Sequence, residues 1–278
     1  MLFAILACSS SQAAPPQKSP QKQPRTPKFH LIVPEDPSGV YGYKDTPIQP
    51  WSGYHVHDPD RPLPKRVDPG PALAPAAPPA DAIILFDGKD LEQWNPLPWT
   101  VEDGCLVASK GLLTTKQEFG DCQLHLEWMA PDPPDPNWGN RGNNGVQLLG
   151  LFEIQIYDSY TTQIYPDGQA GAIYSQTPPL VNACRKPGEW QTYDIVLVAP
   201  VFDGERLLQP ARVTMFHNGL LVHLSQEVYG TSPHAGLAQY PAAPRTKGPV
   251  ALMGHGCPVR FRNIWIRPLD LARPPKPL

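Results

Sequence analysis

The chain has 278 residues, of which 41% are hydrophobic and 18% charged, and its formal net charge is −3. That length suggests one large domain or two small ones, with enough apolar residues for a sizeable core. The mild acidity, with a sequence pI of about 6.2, gives no electrostatic footprint for nucleic acid.

The N-terminus reads MLFAILACSSSQAAPPQKSP. The short apolar run before Cys8 resembles the lipobox of bacterial lipoproteins, and a polar, Pro-rich stretch follows it directly. Residues 1–28 are therefore read as a lipidation signal at Cys8 plus a flexible tether. No stretch approaches the ~20 apolar residues of a membrane helix. Any membrane attachment would be through lipid, with the protein exported to the bacterial cell envelope, periplasmic or membrane-anchored.

Seventeen of the 38 prolines lie before residue 81. Residues 29–80 still hold Phe29, Tyr41, Tyr43, Trp51 and Tyr54, and aromatic residues are scarce in linkers. We read this stretch as an extended arm packed on the main body, closing with the Pro/Ala run PALAPAAPPA. Within it, HVH at 55–57 has an alternating spacing that could ligate a metal, but the body offers no clear third ligand. The divalent-cation question stays open, and no other cofactor is required by the sequence.

From about residue 81 to 270 the texture changes. AIILF, GCLVASKGLLTT, CQLHLEW, GVQLLG, FEIQIYD, YDIVLVAP, ARVTMFHNG, PVALMGH and VRFRNIWIRPL follow one another between Gly, Pro, Asn and Asp. Short alternating runs with such punctuation predict an all-β sandwich or barrel with no long helix. HNG at 217–219 predicts a hairpin turn. Residues 271–278 form a short tail. Cys105, Cys122, Cys184 and Cys257 match no zinc spacing, and disulfides or free thiols both fit.

FEIQIYDSY (152–160) alternates Phe152, Ile154 and Ile156 with Glu153, Gln155 and Tyr157, as expected of a half-buried strand. The preceding GVQLLG predicts a hairpin with an odd loop. A three-residue loop centred near Leu151 would set Gln147 opposite Gln155 and Gly145 opposite Tyr157. Gln147, Glu153, Gln155 and Tyr157 then share one polar face, because a one-residue slip would mix the two sides. Such a face suits the floor of a cleft.

LFDGKDLEQW (85–94), FGDCQLHLEW (119–128), NRGNNGVQLLGLFEIQIYD (140–158), YPDGQAGAIYSQTPPLVNACRKPGEWQTYDI (165–195), ARVTMFHNGLLV (211–222) and GHGCPVRFRNIWIRPL (254–269) together resemble the 3-keto-disaccharide hydrolase domain family. The resemblance covers about residues 81–270. It implies a concanavalin-A-like jelly-roll β-sandwich and cleavage of glycosides whose sugar ring carries a ketone at C3. It also implies a carbohydrate as partner and an upstream enzyme that oxidises the sugar at C3. WSGYHVHDPDRPLPKRVDPG (51–70) looks like an arm of longer members.

A ketone at C3 acidifies the C2 proton. Its removal gives an enolate that can expel the C1 substituent, and water can then add back. This route needs a base, a stabiliser for the enolate oxygen and an acid for the leaving group. Glu153 is the first candidate base, its alternative being a solvated carboxylate or a partner of Arg141. Asp158 and His255 are candidate second acid–base groups, with turn-capping and loop bonding as their alternatives. Gln147 and Gln155 could bind sugar hydroxyls. Arg141 and Asn144, in the Gly-rich loop WGNRGNNG, could hold substrate or a developing oxyanion. Trp138 could stack on a sugar ring, and Tyr174 could donate a proton. Trp94, Trp128 and Trp265 read as core, and His217 as a turn residue. The competing function is a non-catalytic carbohydrate-binding envelope lipoprotein, since lectin-like sandwiches share the fold.

Overall fold

The computed structural model describes residues 29–35, 39–72, 74–75, 77–162 and 164–271. Cys8 and its lipobox-like surroundings lie outside the described residues. Two antiparallel sheets form a jelly-roll β-sandwich. The larger has eight strands. Seven run in the order Leu220–Glu227, Arg212–His217, Gln191–Val198, Cys122–Met129, Arg260–Pro268, Cys105–Val107 and Thr100–Glu102, and Ile83–Phe86 also pairs with Arg260–Pro268. The smaller sheet orders Lys110–Phe119, Gly248–His255, Asn144–Leu148 and Phe152–Ile156. The described helices are single 3-10 turns at Trp138–Asn140 and Pro166–Gly168.

The core follows from period-two alternation. Leu124, Leu126 and Trp128 point inward from one strand, and Tyr193, Ile195 and Leu197 from its neighbour. Val146, Leu148, Phe152, Ile154 and Ile156 meet them from the smaller sheet. Each such fully buried side chain contributes ~1.5–3 kcal/mol. Trp94 and Trp128 lie in this core. Trp265 differs from expectation. It is buried, but on the outer side of the larger sheet, stacked on His125 at 5.1 Å.

The hairpin at 217–219 forms as expected, with Asn218 at φ 53° and Gly219 at φ 80° and His217 paired with Leu220. His217 itself is not a mere turn residue. Its ring is fully buried against Tyr193 and Trp128, with Nε2 facing Gln191 Oε1 at 3.2 Å. The four described cysteines are buried free thiols.

The hairpin ending in Phe152–Ile156 has the odd loop but a different register. Leu148 pairs with Phe152, Gln147 with Glu153 and Gly145 with Gln155, so the loop is Leu149–Gly150–Leu151. Leu149 (φ 57°) and Gly150 (φ 56°) both take the left-handed region, which closes the chain one residue earlier than the sequence suggests. The shift moves each pairing by two, so the polar face survives.

The arm adds a second, smaller hydrophobic cluster at one end of the sandwich. Tyr43 packs there with Tyr157, Ile164 and Tyr165, and Phe29, Leu31, Trp138 and Tyr174 lie against them. Tyr41 bridges to Ile164, and Lys65–Arg66 runs parallel to Val181–Asn182.

Candidate active site

Phe152–Ile156 is buried on both faces rather than half-buried. The segment after residue 170 pairs with its outer edge. Gly171 N–H donates to Gln155 O, Gln155 N–H to Ala172 O and Tyr174 N–H to Glu153 O, each at 2.9 Å. Above the polar face, these residues and the arm enclose a cleft of about 420 Å³. Glu153, Gln155, Trp138, Tyr174 and His255 all line it, together with Tyr43, Tyr165, Ser232 and His234.

Glu153 dominates the site's electrostatics. Its side chain turns over Gly145, where any β-carbon would collide with the carboxyl. Burial alone pushes the carboxyl up to about 8, and no cation contributes to the shift. The group is thus largely an acid at neutral pH and a strong base once ionised. Gln155 is also buried, and its Oε1 has no hydrogen-bond partner among the described residues, so it can accept from a ligand hydroxyl.

The opposite wall is a chain of donors. Tyr165 and Tyr174 hydroxyls lie 3.2 Å apart, and Tyr174 Oη is 2.8 Å from His234 Nδ1. Burial holds the Tyr174 phenol well above its ordinary range, so it keeps its proton. Burial, and then the nearness of the His57 and His255 imidazoles, which disfavours adding a positive charge, hold the His234 imidazole below its ordinary value. Burial lowers His255 as well. Both rings are neutral near pH 7 and can donate or accept a proton.

Four of the expected site residues stand elsewhere. Asp158 is buried, with Arg141 Nη2 at 2.8 Å and Arg141 Nε at 3.2 Å donating to Oδ2. Thr161 Oγ1 donates to the same oxygen at 2.7 Å, and Tyr160 and Thr161 N–H groups donate to Oδ1. With both oxygens engaged, Asp158 and Arg141 pin a turn instead of lining the cleft. Asn144 sits one residue off the cleft-facing set, so alternation points it to the core, where its Nδ2 donates to Cys257 O at 3.3 Å. Its neighbour Asn143 reaches the cleft. Gln147 shares the polar face but stands directly across from Glu153, one face-sharing position nearer the loop than Gly145, and outside the cleft lining.

Tyr43, Tyr165, Ser232 and His234 were not singled out by sequence. Their signals were weak, an aromatic-rich arm and a lone SPH. The HVH pair is not a ligand pair, because His55 Nδ1 contacts Thr46 O while His57 turns to Asp167. Among the described residues, no group of three or more His, Cys, Asp or Glu side chains could hold a metal ion.

Residues 81–267 match the profile of the 3-keto-alpha-glucoside-1,2-lyase-like domain. The chain belongs to this family. A similar protein is the 3-keto-disaccharide hydrolase of Bacteroides thetaiotaomicron, 24% identical over 244 residues, covering 69% of this chain and 81% of that one. Among solved structures, a candidate glycosyl hydrolase from Parabacteroides distasonis superposes with a TM-score of 0.65 at 37% identity, covering 71% of this chain and 94% of that one. The 3-keto-alpha-glucoside-1,2-lyase-like segment includes Glu153, Gln155, Tyr174, His234 and His255 but not Tyr43 or His57.

Proposed function

We propose that the protein cleaves glycosides whose sugar ring carries a ketone at C3, by elimination followed by hydration. Family membership and the two relatives support a glycoside-cleaving enzyme. The observation that carries the finer reading is Glu153, a carboxyl raised to about 8 by burial at the wall of a cleft sized for a small sugar. An α-proton of a ketone calls for a base stronger than an ordinary carboxylate, and a pKa near the working pH suits that task.

In this reading the ionised Glu153 takes the C2 proton, and the electron pair moves into a C2–C3 enolate. Tyr174, backed by His234, donates a hydrogen bond to the developing enolate oxygen. The enolate collapses, the C1–O bond breaks with its electrons on the departing oxygen, and His255 supplies that oxygen's proton. An enone remains. Water adds across it: hydroxide goes to C1, the proton water loses returns to His255, and Glu153, its proton having exchanged with solvent, protonates C2, giving the 3-keto sugar. Gln155 binds a ring hydroxyl, and Trp138 walls the opposite side. The lipobox-like run before Cys8 supports an envelope location, where an oxidase acting at C3 would supply the substrate.

The test is incubation with a disaccharide and its 3-keto form in deuterium oxide. Cleavage of the 3-keto form alone, with deuterium at C2 of the product, is expected. Cleavage of both forms, or a product without deuterium, contradicts the reading. Binding without cleavage favours a carbohydrate-binding module.

A further inference from the structure

The arm precedes the stretch that matches the family, yet it supplies part of the cleft. Tyr43 lines the wall directly, and His57 stands fully buried behind it. His57 grips Asp167 at two points. Its backbone N–H donates to Oδ2 at 3.1 Å, and its ring Nδ1 meets Oδ1 at 3.0 Å. Gln49, also from the arm, donates Nε2 to Oδ2 at 3.2 Å. Burial would raise the Asp167 carboxyl, but His57 and then Arg61 outweigh it and hold the group below its ordinary value. Asp167 is therefore an anion, and at 3.0 Å from its acceptor oxygen His57 Nδ1 is the donor of the pair. Nε2 is buried with no hydrogen-bond partner among the described residues.

Two features argue against a passive cover. A buried imidazole–carboxylate pair carries a desolvation cost that apolar packing would avoid. His57 also sits at φ 62°, a left-handed conformation that a non-glycine residue keeps only when its surroundings impose it. The ring so held stacks on Tyr165, centroids 3.8 Å apart and planes 26° apart. Tyr165 in turn meets Tyr174, and Tyr174 meets His234.

We propose that the N-terminal arm is a working part of the active site, and that His57, clamped by Asp167, is the positioning residue that fixes Tyr165 and through it the Tyr174–His234 donor pair. The proposal rests on the 3-keto glycoside reading for the reaction that this pair serves. A donor displaced by ~1 Å can cost about 100-fold in rate.

The experiment uses the full chain and compares His57→Ala with His57→Asn, whose side-chain amide can still donate to Asp167. With a 3-keto disaccharide, His57→Ala is expected to lower kcat about 10–100-fold while KM changes less than about 3-fold. His57→Asn is expected to fall between Ala and wild type, with at least about a 5-fold loss from the missing ring stack. In parallel, nitrogen-15 NMR of the wild-type histidines should show a His57 Nδ1–H protected from solvent exchange. That readout needs no turnover, so a wrong reaction and a wrong role for His57 can be told apart. An unchanged kcat in either variant, an Asn variant no better than Ala, or an exchanging Nδ1–H overturns the proposal. Should His57→Ala not fold, the Asn variant and the NMR signal decide it.

Discussion

Gly145 and Glu153 share one space. A β-carbon on Gly145 would stand 2.6 Å from Glu153 Cδ, inside any van der Waals contact, and closer still to Oε1. The hairpin pairs Gly145 with Gln155 and leaves the Glu153 carboxyl to lean across the missing side chain. Gly145→Ala should therefore displace the carboxyl while the ladder remains. An activity loss of about 100-fold with an unchanged circular dichroism spectrum is expected. Near-wild-type activity would mean that the carboxyl's placement is unimportant.

The raised Glu153 pKa has a consequence for stability. In the unfolded chain the group returns to an ordinary value near 4.5, whereas in the fold it titrates at about 8. The folded state binds the extra proton between these values, so its contribution is full below about 4.5 and is lost as pH rises through about 8. The loss is on the order of 3–5 kcal/mol. Glu153→Gln should unfold at a higher temperature than wild type above pH 8, with the difference shrinking toward acid pH. Thermal unfolding across that range checks it.

His217 and His223 carry the opposite sign. Burial holds them down to about 3 and about 4, so both stay neutral in the fold. Their contribution is full above about 6.5 and falls as pH drops toward those values. The protein should lose stability progressively below pH 6.5. His223→Gln, which can still donate to Gly171 O in place of His223 Nε2, should flatten that slope in acid denaturation curves.

The Arg141–Asp158 pair predicts a structural defect. Asp158 is buried with both oxygens occupied, so Asp158→Ala strands a guanidinium and several donors. A destabilisation of ~3–5 kcal/mol is expected from chemical denaturation. The protein that remains folded should keep most of its activity, because the pair does not line the cleft.

The sandwich was legible because it rests on local alternation. CQLHLEW and YDIVLVAP announce which side chains face inward, and the structure follows them. The polar face with Glu153 and Gln155 was legible for the same reason. Register was harder to read. Leu149 at positive φ closes the hairpin early, and nothing about a leucine signals that. The far wall of the cleft was hidden for a different reason. His57 meets Asp167 across 110 residues, and such a pairing is written in tertiary packing rather than in any periodic pattern. Asp158 misled because a carboxylate at a strand end reads alike whether it caps a turn or faces a cleft. The donors that fill its oxygens, Arg141 Nη2 at 2.8 Å and Thr161 Oγ1 at 2.7 Å among them, separate the two.

The central claim is that the buried carboxyl of Glu153 performs the proton transfer at C2. Its most direct test is kcat/KM of Glu153→Gln against wild type on a 3-keto disaccharide. The account predicts a loss of at least about 1,000-fold with the fold intact, and a wild-type profile that rises with pH toward about 8. Comparable turnover by the Gln variant would contradict it.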